Sequence, residues 1–193
     1  LAISGTPAVV RIASAESWMV KQVLDLGCQT VLVPMVDDAQ TALGMAQAMR
    51  YPPHGTRCMG AALARATSFG AVADYPHTAN DQVCLLVQAE SAQAVENIDA
   101  IAATTGVDGV FVGPADLSAD MGYPGQPDHP EVEKAIDHLI ARTVAAGKIA
   151  GIITFDESRF DEYAKKGVTF LGVGGDMLVL NRALRALSAQ VKT

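Results

Sequence analysis

The sequence is poor in the residues that mark several specialised classes of protein. Aromatic residues make up 5% of its 193 positions and charged residues 18%. Its 14 lysines and arginines are outnumbered by 21 acidic residues and form no basic cluster, so we expect neither nucleic acid nor an anionic membrane as a partner. The three cysteines are scattered without a CxxC pair, which indicates reduced thiols and predicts a cytoplasmic protein.

Long hydrophobic runs are also missing. No run approaches the roughly 18 apolar residues of a membrane-spanning helix. The first residues lack the basic stretch and apolar segment of a secretion signal. The chain has no initiator methionine, and we expect a segment upstream of it. Hydrophobic residues nevertheless make up 50% of the chain, which is enough for one sizeable core of aliphatic side chains.

Short apolar runs alternate with amphipathic stretches along the chain. The runs predict strands at 7–12, 30–35, 83–89, 109–112, 149–154 and 170–173. The stretches between and after them predict helices at 14–26, 38–49, 91–103, 131–146, 156–166 and 177–190. Residues 57–65 fit either a short strand or a helical turn, and the polar segment 67–80 is predicted to be a functional loop or lid with short helices. Strand–helix alternation predicts a parallel α/β sheet with right-handed crossovers.

Two architectures fit six such units: an open doubly wound sheet, or a (β/α)8 TIM barrel that lacks its first two β/α units. No GxGxxG or P-loop follows the first strand, so a nucleotide-binding sheet is unsupported. Charged residues end several different strands, which is typical of the rim of a barrel. We therefore predict one partial TIM-barrel domain over residues 1–193, from which roughly 60 residues of a typical barrel are missing.

Glu90 and Asp116 follow two of the apolar runs. Parallel strands deliver their carboxyl ends to one edge of a sheet, so the two carboxylates could share a divalent cation there. Mg²⁺ and Mn²⁺ favour such oxygen ligands, with water and substrate completing the shell. The alternative is that each carboxylate caps the next helix or pairs with a lysine.

Two further features could belong to the same site. In the run Gly113-Pro114-Ala115-Asp116, the amides of Ala115 and Asp116 could bind a carboxylate or an enolate, although an ordinary turn explains the run equally well. Arg11, at the end of the first strand, could neutralise a developing enolate oxygen, or it could form an ion pair with one of the two carboxylates.

Asp25 lies near the predicted C-terminus of the first helix, where its charge opposes the helix dipole. It could pair with a histidine or lysine elsewhere, or lie on the surface without a role. None of the four histidines ends a strand, so none is a strong candidate for a catalytic base.

Taken together, these motifs resemble the HpcH/HpaI class II aldolase family over essentially the whole chain. The matching segments are VR (10–11), VLDLG (23–27), QTVLVPM (29–35), RYPP (50–53), ALARA (62–66), VQAE (87–90) and GPADLS (113–118). Each motif is weak alone, and the set in this order is specific.

The resemblance implies a (β/α)8 barrel, usually a homohexamer, whose C-terminal helix (177–191 here) is swapped between subunits. It also implies reversible cleavage of 4-hydroxy-2-oxo acids to pyruvate and an aldehyde with Mg²⁺, Mn²⁺ or Co²⁺. By motif match, Glu90 and Asp116 are the metal ligands and Arg11 stabilises the enolate. Gln88 and the amides of Ala115 and Asp116 contact pyruvate, and Asp25 pairs with the catalytic histidine.

The chain departs from the family pattern in two places. The family's catalytic histidine lies upstream of the first residue, and Ala61 stands where several relatives carry serine. Two alternatives stay open. One is a citramalyl- or malyl-CoA lyase on the same scaffold, although no basic site for a CoA phosphate is evident. The other is a truncated, non-catalytic oligomerisation or metal-binding domain.

Overall fold

The computed structural model describes residues 5–191 and is built on a six-stranded parallel sheet. Its strands are β1 (Val9–Arg11), β2 (Thr30–Val33), β3 (Cys84–Ala89), β4 (Gly109–Val112), β5 (Ile149–Ile153) and β6 (Phe170–Gly172). They lie side by side in chain order. This order belongs to a sheet that curls towards a barrel, because a doubly wound sheet reverses its strand order at a switch point. The parallel α/β class is confirmed, and the doubly wound alternative is wrong.

Helices follow the strands as the alternation predicts. They are α1 (Ser17–Asp25), α2 (Ala39–Ala48), α3 (Tyr75–Thr78), α4 (Ala92–Ala103), α5 (Pro114–Asp120), α6 (Pro130–Ala145), α7 (Phe160–Lys165) and α8 (Asp176–Val191). Short 3₁₀ turns occupy Ala61–Leu63, Arg65–Thr67, Ala79–Asp81 and Glu157–Arg159. Within residues 5–191, none of the helices has the length and apolarity needed to cross a bilayer.

The central strands β2, β3 and β4 are buried on both faces, which explains their unbroken apolar runs. On one face, Val31, Leu85 and Val110 pack into the main core with the helices. On the other face, Leu32, Leu86 and Phe111 form a second, smaller cluster. Gly151 lies between Phe111 and Phe170, where a Cβ would approach Phe111 Cδ2 to 2.6 Å. The missing side chain therefore lets the two rings approach to 5.6 Å between centroids.

Two segments differ from their predicted structure. Residues 113–118 are not a simple turn, because α5 begins at Pro114 directly after β4. Proline suits the first position of a helix, where its missing N–H has no intrahelical partner to lose. The described part of 57–65 contains a 3₁₀ turn and no strand.

The segment 67–80 carries the short helices that were predicted for it. It belongs to the connection from α2 to β3, and such connections lie at the edge of the sheet where the strands begin. Asn80 fastens it there, because its side chain accepts from Tyr51 N at 2.7 Å and donates to Tyr51 O at 3.3 Å. Within one chain, the segment thus lies at the edge opposite the carboxyl ends of the strands.

The last helix, α8, differs from the others in its burial. None of its described residues is buried. Its apolar side chains, Met177, Val179, Leu180, Leu184, Leu187 and Val191, are all largely exposed. The helix therefore presents an uncovered apolar face.

Candidate active site

Glu90 lies at the end of β3 and is 1% exposed. One carboxylate oxygen accepts a hydrogen bond from the amide of Met35 at 2.9 Å, and the other accepts from the side-chain amide of Gln88. Glu90 does not cap the following helix, because Ser91 accepts from Ala94 N at 3.0 Å in that role. The carboxylate is therefore held in a fixed orientation at the edge of the sheet.

Asp116 reaches the same edge from the first turn of α5. Strand β4 pairs directly with β3, so the helix that follows β4 begins next to Glu90. Burial raises the pKa of Glu90, and the neighbouring Asp116 raises it further by charge repulsion and by a hydrogen bond between the two carboxyl groups. The amide of Met35 and the positive charge of Arg11 act in the opposite direction. Two neighbouring carboxyl groups that repel each other form a site that a divalent cation would stabilise.

Gly113 leaves the space in which this pair meets. A Cβ built on Gly113 would lie 2.4 Å from Glu90 Oε2 and 2.7 Å from Gln88 Nε2. Both distances are far below van der Waals contact, so any side chain here would displace the Glu90 carboxylate. Glycine at this position is therefore required by the geometry of the site rather than by its backbone conformation.

Arg11 and Gln88 complete the arrangement. Arg11 Nε donates to Gln88 Oε1 at 3.0 Å. The strands that carry them are separated by β2, so the arginine side chain crosses one strand to reach its acceptor. Among residues 5–191, no salt bridge joins Arg11 to Glu90 or Asp116, so the ion-pair alternative is not observed.

The donor set fits a hard divalent cation. Within the described residues, no group of three or more histidine, cysteine or acidic side chains gathers at one point. Two carboxylates with open positions for water and substrate oxygens are what Mg²⁺ and Mn²⁺ tolerate and what Zn²⁺ sites rarely use. The space that Gly113 leaves for the Glu90 carboxylate, and the charge repulsion between Glu90 and Asp116, support the same conclusion.

Asp25 does not join this group within one chain. It is the last residue of α1, and the chain continues from there into the start of β2. Asp25 therefore lies at the edge of the sheet where the strands begin, opposite the edge that carries Glu90. Its carboxylate pairs with Lys21 and accepts from Arg57 Nη2 at 2.9 Å. The expected lysine partner is thus present, together with an arginine that the sequence did not indicate.

Arg57 is 2% exposed and stacks on Tyr51, with its guanidinium carbon 4.4 Å from the ring centroid. Its Nε and Nη1 atoms have no hydrogen-bond partner in the described structure. Asp25 is therefore the only carboxylate paired with this guanidinium among residues 5–191. The residues around Arg57 show no helical or strand periodicity, so the sequence did not indicate that this arginine is buried or that it pairs with Asp25.

The fold is a parallel α/β sheet in chain order, with the side chains of Arg11, Gln88, Glu90 and Asp116 delivered to one edge. A profile of the HpcH/HpaI aldolase/citrate lyase family matches residues 1–183. The chain belongs to this family, as its motifs indicated.

Individual relatives agree. The chain is 54% identical over 192 residues to a hydroxypyruvate/pyruvate aldolase of Agrobacterium fabrum, with 100% of this chain and 72% of the relative covered. It is 46% identical over 191 residues to a 4-hydroxy-2-oxo-heptane-1,7-dioate aldolase of Salmonella dublin, covering 98% and 73%. The crystal structure of an HpcH/HpaI aldolase/citrate lyase family protein from Burkholderia cenocepacia superposes with a TM-score of 0.92 at 38% identity, covering 97% of this chain and 74% of that one.

Proposed function

We propose that the protein is a divalent-metal-dependent (class II) aldolase that reversibly cleaves 4-hydroxy-2-oxo acids to a pyruvate-type 2-oxo acid and an aldehyde. The observation that carries this proposal is the buried carboxylate of Glu90, which Met35 N and Gln88 Nε2 hold at the edge that Asp116 also reaches. Arg11 is hydrogen-bonded to the same glutamine. The names of the relatives, hydroxypyruvate/pyruvate aldolase and 4-hydroxy-2-oxo-heptane-1,7-dioate aldolase, support the same reaction.

Each residue then has a defined task. Glu90 and Asp116 would hold Mg²⁺, Mn²⁺ or Co²⁺, which supplies Lewis-acid chemistry when bound. Arg11 places a fixed positive charge where negative charge develops on the keto oxygen, and Gln88 holds that guanidinium in position. The amides of Ala115 and Asp116, in the first turn of α5, are proposed to receive the substrate carboxylate.

The described lysines do not offer a Schiff-base alternative. Lys21 lies on α1 in a salt bridge with Asp25, and Lys148 donates to Val107 O at 2.7 Å. No lysine ends a strand in this sequence, so a covalent amine mechanism lacks a nucleophile at the site.

Asp25 is proposed to orient a histidine base, as the family resemblance implies. This chain has no matching histidine, and Asp25 lies at the edge opposite Glu90. We infer that it would serve the site of a neighbouring subunit. The uncovered apolar face of α8 is consistent with a homo-oligomer, proposed to be a hexamer in which this helix is swapped between subunits.

The sheet is proposed to be six strands of an eight-stranded barrel, whose other two units precede this chain. The support is that the chain covers 72% of the Agrobacterium relative. A CoA-ester lyase is less well supported, because the Agrobacterium and Salmonella relatives, at 54% and 46% identity, both carry aldolase names. A non-catalytic role does not explain why Glu90 is buried, hydrogen-bonded to Gln88 and given space by Gly113.

Metal removal tests the proposal. The purified protein is assayed for cleavage of a 4-hydroxy-2-oxo acid, before and after EDTA treatment and after addition of Mg²⁺, Mn²⁺ or Co²⁺. We expect EDTA to abolish pyruvate release and at least one of the cations to restore it. Full activity in EDTA would show that the metal is dispensable. Glu90→Gln is the control, and we expect none of the cations to restore its pyruvate release.

A further inference from the structure

Met35 has an unusual backbone conformation at the edge that carries the site. It follows β2 with φ 51°, in the left-handed region that side chains with a Cβ rarely adopt. Glycine and asparagine are the residues that normally occupy such positions. An observed backbone outlier of this kind justifies a search for its function.

Hydrogen bonds explain the backbone of Met35. Its amide donates to Glu90 Oε1 at 2.9 Å, and the next amide, that of Val36, donates to Gln88 O at 3.1 Å. Two consecutive N–H groups are thereby held against the end of β3. Glycine would allow the same two bonds without crowding, so they do not explain why a long side chain is present.

The position of the side chain supplies the missing reason. Met35 is 50% exposed although its neighbours Pro34 and Val36 are buried. It lies on the rim between the end of β1, which carries Arg11, and the end of β3, which carries Gln88 and Glu90. The side chains of Arg11, Gln88, Glu90 and Asp116 at this site are polar or charged, whereas the half-exposed side chain of Met35 is long and apolar.

We propose that the side chain of Met35 forms the apolar wall against which the acceptor aldehyde packs, and that it limits the length of that aldehyde. This inference rests on the proposed aldolase function. Arg11 and the two carboxylates suit the charged 2-oxo acid half of the substrate, whereas the aldehyde's alkyl chain needs an uncharged surface. Methionine is unbranched and polarizable, so it contacts chains of different shapes and still occupies space.

The test is a ratio of two rates within each protein. Pyruvate is combined with acetaldehyde or with hexanal, and kcat/KM is measured for both in the wild type, Met35→Ala and Met35→Gly. Met35→Ala removes the side chain and keeps an L-residue, while Met35→Gly also relieves the backbone. Met59→Ala is the matched control, because Met59 is also 50% exposed and lies in the connection at the opposite edge.

We expect the hexanal-to-acetaldehyde ratio to rise about tenfold or more in both Met35 variants, and to stay at the wild-type value in Met59→Ala. A ratio that rises only in Met35→Gly, or in neither variant, would contradict the proposal that the Met35 side chain limits the length of the aldehyde. The ratio is insensitive to the fraction of folded enzyme, and Met35→Ala alone decides the outcome if Met35→Gly does not fold. A wild type that forms no aldol product with either aldehyde overturns the proposed function as well.

Discussion

Arg11 and Gln88 are joined by a 3.0 Å hydrogen bond although their strands are not neighbours in the sheet. Gln88 also donates to Glu90, and Glu90 accepts from the amide of Met35. The hydrogen bonds thus form one continuous chain. It runs from Arg11 at the end of β1, through Gln88 and Glu90 at the end of β3, to Met35 in the loop after β2. The positive charge of Arg11 and the carboxylate of Glu90 are positioned by the same side-chain amide, so changes along this chain should not be additive.

Gln88→Leu tests the positioning of Arg11. This change removes both hydrogen bonds of the amide and keeps a side chain of similar size. We expect kcat/KM for aldol cleavage to fall about 100-fold, the cost of losing one well-placed donor at a developing negative charge. We expect Arg11→Lys to lower kcat/KM by a similar factor. In the double variant, the fold decrease in kcat/KM should be smaller than the product of the two single decreases. All three variants are measured by steady-state kinetics at saturating cation. Strictly multiplicative losses would mean that the two residues act independently.

Glu90→Gln tests the cation site by stability rather than activity. A ligand that binds only the folded protein stabilises it, by about 2.7 kcal/mol at 100 times its Kd. We expect Mn²⁺ to raise the melting temperature of the wild type and to leave that of Glu90→Gln unchanged, as followed by calorimetry. Each protein is compared with its own metal-free melting temperature, because Glu90→Gln removes the repulsion from Asp116 but leaves one acceptor oxygen for the two donors Met35 N and Gln88 Nε2. An equal shift in both proteins would place the cation elsewhere.

Gly113→Ala tests the space beside the carboxylate pair. The added methyl group would lie 2.4 Å from Glu90 Oε2, so the carboxylate must move. We expect loss of most aldolase activity and weaker cation binding in a titration, with the helical circular dichroism retained.

Gly44→Ala is the control for the change at Gly113. A Cβ at Gly44 meets no atom within 4 Å, and the residue lies inside α2. Alanine there should stabilise the protein by about 0.5–1 kcal/mol and leave activity intact. Wild-type cation affinity in Gly113→Ala would show that the carboxylates tolerate displacement.

Asp25 and Arg57 form an asymmetric pair, which predicts unequal costs of removal. Asp25→Ala leaves the buried Arg57 guanidinium without its carboxylate, and loss of one partner of a buried pair costs about 3–5 kcal/mol. Arg57→Met leaves Asp25 with Lys21 and loses mainly the contact with the Tyr51 ring, about 2 kcal/mol. Denaturant unfolding of both variants measures the difference. Equal losses would mean that Asp25 contributes little to holding Arg57.

Local patterns predicted most of the fold. Unbroken apolar runs located all six strands, and amphipathic stretches located six of the eight helices within residues 5–191. Helix α5 was missed, because it has only seven residues and the Gly113-Pro114 pair at its start is also typical of a turn. The partner of Asp25 was predicted only in part: Lys21 lies four residues away on the same helix, whereas Arg57 is brought in by the α2–β3 connection.

The candidate site divides in the same way. The sequence by itself determined the parallel α/β class and the delivery of Glu90 and Asp116 to one edge, because carboxyl ends of parallel strands meet there. Only the tertiary structure decided that Arg11 crosses β2 to reach Gln88, that Met35 turns its amide onto Glu90, and that Gly113 leaves room for the carboxylate. These contacts join residues far apart in the chain. Their geometry depends on which strands become neighbours and on the side-chain volumes that meet across the sheet, which the hydrophobic pattern of a single segment does not encode.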